Sequence, residues 1–159
     1  MSQTEIQREP DAASGEIPVV ALGLPEMFAL WAIRLWVAAY RGAGNLLPEL
    51  REGFRVAGMG EAWLDLDEWL TRLLGSVRRP LDIRPVSGRS LSADELGMVR
   101  WLGALQEADP APAQCAYLRA IAVPGRRLAR SFAEAGLSFG VGAGHARADA
   151  GDADPARPQ

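Results

Sequence analysis

Residues Leu24–Gly44 read LPEMFALWAIRLWVAAYRGAG, the most apolar run in the chain. Only Glu26, Arg34 and Arg41 carry charge within it. On a helix these three side chains fall in one sector of about 80°, and apolar side chains cover the remaining surface. A helix with so narrow a polar stripe is packed on most of its surface. The stretch therefore predicts a long central helix, at about residues 25–41, that other helices surround.

The same stretch has a second interpretation as a membrane span. A span needs about 20 predominantly apolar residues, and the window of residues 18–40 is long enough. However, Glu26 and Arg34 lie inside this window and Pro25 interrupts it, and each charge at the bilayer centre costs about 3 kcal/mol. We therefore expect no integral membrane insertion. Peripheral membrane association through this helix stays open as a third functional alternative.

The rest of the chain predicts further helices, because its apolar residues recur at helical spacing and no segment shows a convincing strand pattern. Ser92 and Glu95 have the spacing of a capping box, and Gly136 followed by Leu137 is typical of a helix end. Pro124-Gly125 predicts a break between the last two helices. The expected fold is all-α, a compact bundle of five to six helices, with the further helices at about residues 48–58, 61–77, 93–108, 112–123 and 126–139.

Composition predicts one domain with two tails. Residues 1–17 and 140–159 are polar or rich in Gly, Ala, Asp and Pro, so they cannot bury enough apolar surface to offset the entropy of ordering. We predict that both are disordered and that residues 18–139 form a single helical domain. The net charge of −3 comes mostly from the tails. All 17 basic residues are arginine and none is lysine, which favours an origin in a GC-rich bacterial genome.

Most catalytic and metal-binding constellations are excluded by residue types. The only histidine, His145, lies in the predicted C-terminal tail, which removes a Ser-His-Asp triad and histidine-based zinc sites. Cys115 is the single cysteine and is expected to be a small buried side chain. Asp65 and Glu68 share a helix face and favour helix stabilisation over cation binding. We expect no enzyme activity, no cofactor and no metal.

Tryptophan and arginine provide the remaining functional signal. The chain has five tryptophans, more than a small bundle easily buries, and Trp and Arg are enriched at protein interfaces. An arginine-rich loop follows the third predicted helix. The alternatives are that neighbouring helices cover the rings and that local ion pairs, such as Arg84 with Asp82, neutralise the loop. The candidate partner-binding residues are Trp36, Tyr40, Trp63, Arg78, Arg79 and Arg84.

These observations favour a non-catalytic protein-interaction protein, an adaptor or regulator, which binds another protein or itself through exposed aromatics and the arginine-rich loop. The alternative is a protein or enzyme that binds a small anionic ligand in a pocket inside the bundle. Nucleic-acid binding is disfavoured because the domain is nearly neutral and the third helix begins with acidic residues, which phosphates repel. The lack of a recognisable secretory signal leads us to expect a cytoplasmic protein.

Overall fold

The computed structural model describes residues 16–107 and 116–140. This part of the chain is all-helical and forms a compact bundle, which confirms the predicted fold class. A short 3-10 turn, Val19–Ala21, comes before the first α-helix. The α-helices within these residues are α1 Leu24–Tyr40, α2 Leu47–Val56, α3 Trp63–Leu74, α4 Ala93–Glu107 and α5 Ala116–Glu134.

Helix α1 is a major part of the core. Its central residues, from Ala29 to Val37, are buried apart from the partly exposed Trp31. The helix packs against α2, α3 and α4, as a narrow polar stripe predicts. Among the described residues, no helix combines the length and the apolar character that a bilayer crossing requires.

The most extensive helix packing joins α5 to α3 and to α4. Gly125 of α5 makes this approach possible, because a Cβ there would lie 2.8 Å from Leu105 Cδ1 and 3.0 Å from Trp69 Nε1. Trp69 of α3 is completely buried and lies against the bare backbone at this point. The glycine that the sequence suggests as a helix breaker is therefore a packing residue.

Helix α5 continues through Pro124, so the predicted break at Pro124-Gly125 is wrong. Proline lacks an N–H group, and the carbonyl four residues earlier, that of Ala120, loses its usual helical donor. Arg72 of α3 donates from NH1 to this carbonyl at 3.2 Å. A donor from another helix thus replaces the missing backbone bond, and packing against α3 and α4 holds both halves of α5 in line.

Two local signals in the sequence are confirmed. Ser92 Oγ accepts from the Glu95 backbone N–H at 3.1 Å, and Glu95 Oε2 accepts from the Ser92 N–H at 2.9 Å, which is the reciprocal capping box. Gly136 adopts a φ of 77°, and the Leu137 N–H donates to the Phe132 carbonyl at 2.8 Å. This geometry closes the C-terminal end of α5.

The N-terminal boundary differs from the prediction. Composition places Glu16 and Ile17 in the tail, yet the Leu91 N–H donates to the Ile17 carbonyl at 2.9 Å, and Glu16 binds Arg84. These contacts attach the chain to the loop between α3 and α4. The remaining predictions for the two tails, for Cys115 and for His145 lie outside the described residues.

A buried ion pair fixes the loop between α3 and α4. Arg34 and Glu95 have side-chain exposures of 2% and 0%, and the guanidinium donates to both carboxylate oxygens, from Nε at 2.7 Å and from NH2 at 2.9 Å. Arg34 also donates to the carbonyls of Gly88 at 2.6 Å and Ser90 at 2.8 Å. The loop that carries the arginine-rich segment is therefore anchored on α1.

Candidate functional site

The C-terminal end of α1 presents one aromatic ring on top of another. Tyr40 is 74% exposed, whereas Trp36 is only 4% exposed. The two rings stack with centroids 5.2 Å apart and planes 8° apart, because residues four apart are neighbours on a helix. The Trp36 indole Nε1 donates to Asp67 Oδ1 of α3 at 2.8 Å. The expectation that Trp36 is an exposed contact residue is wrong, and its ring instead supports Tyr40.

A groove of about 320 Å³ runs beside Tyr40. Its walls come from the end of α1, the end of α3 and the segment that follows α3. The apolar lining includes Val37, Leu74, Val77 and Leu81, and the basic lining consists of Arg41, Arg78 and Arg79. We call this the basic groove.

Only Arg79 of the three arginines of the basic groove pairs with an acid among the described residues. Arg79 binds Asp94 through two hydrogen bonds, of 2.8 and 2.6 Å. This contact, together with the Asp82 backbone N–H, lowers the pKa of Asp94 from 3.8 to about 2. Arg41 makes a long hydrogen bond of 3.4 Å to the Ile83 carbonyl. Within residues 16–107 and 116–140, neither Arg41 nor Arg78 forms an ion pair, so the groove keeps a positive charge.

A second groove, of about 310 Å³, also has Tyr40 in its lining. Trp36, Asn45, Leu47 and Asp67 contribute to its lining. Tyr40 therefore lines both the basic groove and a groove that contains a carboxylate. We call Tyr40 and the basic groove together the Tyr40 surface.

Trp63 and Arg84 are not brought to this surface. Trp63 is half-buried at the start of α3, where Arg51 of α2 lies over its ring with Cζ 4.2 Å from the centroid. Arg84 binds Glu16 at 2.6 Å, rather than Asp82 as the local alternative supposed. Neither residue lines one of the two grooves. Of the six predicted partner-binding residues, Tyr40, Arg78 and Arg79 share the Tyr40 surface and Trp36 supports it.

The acidic cluster of α3 is part of helix packing. Arg127 of α5 donates from Nε to Asp65 Oδ1 at 2.7 Å and also binds Glu68, which pairs in addition with Arg72. No group of three or more potential metal ligands was found among the described residues. Arg127 therefore pairs with acids of α3, whereas Arg79 and Arg84 of the arginine-rich loop pair with Asp94 and Glu16.

Arg41 and Val77 are site residues that the sequence did not single out. Arg41 follows Tyr40 directly, and its position beyond the last helical turn was a usable signal because it places the cation beside the exposed ring. Val77 carried no signal of its own. Its place in the groove depends on the course of the chain between α3 and α4, the later part of which Arg34 anchors at Gly88 and Ser90.

Comparisons with protein-family models, with curated proteins and with solved structures found no match to this chain.

Proposed function

We propose that this chain is a non-catalytic, cytoplasmic protein-interaction protein, an adaptor or regulator, that binds an acidic segment of another protein at the Tyr40 surface. The single observation that carries the proposal is the exposed Tyr40 ring, held beside a groove with two arginines that lack acidic partners among the described residues. Aromatic and arginine side chains are the types that most often dominate binding energy at interfaces.

The support for Tyr40 makes it suited to binding. Trp36 is fixed by burial and by its hydrogen bond to Asp67, and Tyr40 lies flat against it. A side chain whose position is already restrained loses less conformational entropy when a partner covers it. The exposed ring therefore offers contact area at a smaller entropic cost than a freely rotating side chain.

The lining of the basic groove indicates the chemistry of the partner. The apolar walls suit an aliphatic or aromatic side chain, and Arg41 and Arg78 suit carboxylates on either side of it. Hydrogen bonds between guanidinium and carboxylate groups are stronger than neutral ones and favour a defined orientation. A segment with one apolar residue between acidic residues matches both features.

Affinity capture with matched variants tests the proposal. The tagged full-length protein, its Tyr40→Ala variant and its Arg78→Glu variant are incubated with native lysate, and the retained proteins are identified by mass spectrometry. Tyr117→Ala and Arg100→Glu are the controls, because these side chains are also exposed but lie on α5 and α4. We expect one partner that the wild type and both controls retain and that both Tyr40-surface variants lose.

The partner must then bind in purified form. Direct titration of the purified partner is expected to give at least a tenfold weaker Kd for Tyr40→Ala, about 1.4 kcal/mol. Equal affinity of all variants, or capture that depends on Tyr117, would contradict the proposal. Trp36→Ala is unsuitable for this purpose, because removal of a buried ring costs about 3–5 kcal/mol of stability.

A small anionic ligand is the second candidate, favoured by the positive charge and the volume of the same groove. It predicts binding of a metabolite bearing a carboxylate or phosphate, detected as a rise in Tm, with no protein retained in the capture experiment. Arg78→Glu would abolish that rise.

A further inference from the structure

The N-terminal end of the described chain pairs with the loop next to the basic groove. The Val19 N–H donates to the Arg89 carbonyl at 2.8 Å, and the Leu91 N–H donates to the Ile17 carbonyl at 2.9 Å. Pro18 and Ser90 form an antiparallel bridge between them. In an antiparallel pair the two chains run in opposite directions. Traced backward from Ile17 to Glu16, the described chain therefore runs towards Ser92 and the first turn of α4.

One contact links that first turn of α4 to the basic groove. Asp94 in this turn binds Arg79, which lines the groove. Residues 1–15 thus join the described chain at Glu16, beside a loop that leads to a turn in contact with a groove arginine.

A second contact holds the attachment point in place. Arg84 NH2 donates to Glu16 Oε1 at 2.6 Å, and Ser90 Oγ donates to Glu16 Oε2 at 3.0 Å. These two hydrogen bonds lower the pKa of Glu16. Ile83, the neighbour of Arg84 in sequence, lines the groove. A short segment before Glu16 is therefore long enough to reach the groove, since each extended residue spans about 3.5 Å.

The composition of residues 1–15 matches the groove. The segment reads MSQTEIQREPDAASG, with Glu5, Glu9 and Asp11 against one basic residue, Arg8. Ile6 lies between two of the acids. This is the pattern of an apolar residue flanked by carboxylates that the basic groove favours.

The C-terminal segment fits less well by position and by charge. The Gly140 N–H donates to Glu26 Oε1 at 2.8 Å, at the start of α1, whereas the basic groove lies at the end of this helix. The 17 residues of α1 separate the two points by about 25 Å at 1.5 Å per residue. Residues 141–159 have three acids against two arginines, a smaller excess of acid than the three against one of residues 1–15.

We propose that residues 1–15 bind in the basic groove of the same chain through Glu5, Glu9 and Asp11 and thereby compete with an external partner. The inference rests on the proposed function, because it uses the same groove. Covalent attachment gives such a segment an effective concentration on the order of 1 mM. A segment with a Kd of about 0.1 mM would then weaken external binding about tenfold.

Full-length variants test this without removing any of the chain. One variant carries Glu5→Gln, Glu9→Gln and Asp11→Asn, and the matched control carries Asp149→Asn, Asp152→Asn and Asp154→Asn. The first observable is the set of guanidinium Nε–Hε signals of the groove arginines in two-dimensional NMR spectra. The second is the Kd of a synthetic peptide of alternating Glu and Leu, measured for the wild type and for both variants.

We expect the N-terminal variant to shift the groove signals and to bind the Glu/Leu peptide about tenfold more tightly than the wild type. The C-terminal control is expected to match the wild type in both measurements. Added peptide with the sequence of residues 1–15 should bind the N-terminal variant and move its groove signals back towards their wild-type positions. High salt should reduce the difference, because it screens exposed charges.

The outcomes separate the two proposals. If the Glu/Leu peptide binds all three proteins equally and the groove signals do not differ, the cis contact is wrong and the groove function stands. If the peptide binds none of them and the groove signals are identical, both proposals are wrong. If the signal differences persist when Arg78→Glu is added to each protein, they arise elsewhere and the cis contact is again wrong.

Discussion

Replacement of Arg34 by methionine is expected to destabilise the protein strongly, because it breaks the buried ion pair that anchors the loop on α1. Methionine keeps the unbranched apolar body of the side chain but removes two bonds to Glu95, of 2.7 and 2.9 Å. It also removes the bonds to the Gly88 and Ser90 carbonyls, of 2.6 and 2.8 Å. The variant leaves the completely buried Glu95 carboxylate without its cation.

The magnitude follows from burial. Breaking a buried ion pair by removing one partner costs about 3–5 kcal/mol, because the remaining charge stays uncompensated in the interior. Glu95 keeps two backbone donors, the N–H groups of Ser92 and Arg84, each at 2.9 Å, which favours the lower half of that range. We therefore expect about 3 kcal/mol, a large part of the 5–15 kcal/mol that is typical of a folded domain.

Acid pH is expected to reduce this difference. Burial raises the pKa of Glu95, but hydrogen bonds from Arg34, Ser92 and Arg84 outweigh it and lower the pKa from 4.5. In the wild type this stabilisation is present above pH 4.5 and is lost as pH falls through the lowered pKa. In Arg34→Met, burial is expected to raise the pKa of Glu95, so protonation of Glu95 at acid pH reduces the loss of stability in the variant. The two proteins should therefore differ most at pH values above the raised pKa of the variant, and least below the lowered pKa of the wild type.

Urea unfolding at pH 7 and at about pH 4 measures both effects. Arg55→Met is the control, since Arg55 pairs with Glu52 on the exposed face of α2, and a surface pair of this kind often contributes nothing measurable. Hydrogen exchange should also show faster opening at the Val19 and Leu91 amides, because these bonds join the N-terminal segment to a loop that has lost its anchor. A cost below about 1 kcal/mol, or one equal at both pH values, would refute the reasoning.

Two further predictions use matched pairs. Gly125→Ala is expected to lower stability by about 1–3 kcal/mol, because its Cβ would overlap two buried side chains. Gly97→Ala, in open space on α4, should raise stability by about 0.5–1 kcal/mol. Thermal unfolding of the two variants should therefore show Tm shifts of opposite sign. Arg79→Ala should raise the pKa of Asp94 from about 2 towards 3.8. The lowered pKa stabilises the wild-type fold above pH 3.8, and this stabilisation is lost as pH falls towards 2. Acid unfolding of the variant should therefore begin at a higher pH than that of the wild type. Arg78→Ala should leave both the NMR titration of Asp94 and the acid unfolding unchanged.

Features encoded by neighbouring residues were predictable from the sequence. The Ser92–Glu95 capping box and the helix end at Gly136 need only residues a few positions apart. The continuity of α5 was not predictable in this way, because the donor that replaces the missing Pro124 N–H belongs to Arg72, on a different helix. A proline in the sequence predicts the loss of one helical hydrogen bond, and only the tertiary structure shows which donor replaces it.

The candidate site shows the same division between local and distant information. Stacking of Tyr40 on Trp36 follows from their spacing of four residues on α1. Burial of Trp36 does not, because it depends on which helix covers that flank. The Asp67 carboxylate of α3 lies there and accepts the indole N–H, so the side chain expected to bind a partner became the support of the one that is exposed.

The polar stripe of α1 binds irregular segments of the chain, a role that its composition alone does not predict. Each of its three charged residues binds the backbone of a non-helical segment: Glu26 accepts from the Gly140 N–H, Arg34 donates to two loop carbonyls, and Arg41 donates to the Ile83 carbonyl. Irregular segments have backbone groups that helices and sheets would otherwise satisfy. A stripe of charges can therefore mark where irregular chain packs on a helix, as well as where a helix meets water. At Arg41 this contact is long and no acid neutralises the cation among the described residues, which is why the stripe ends in a charge that an acidic segment can bind.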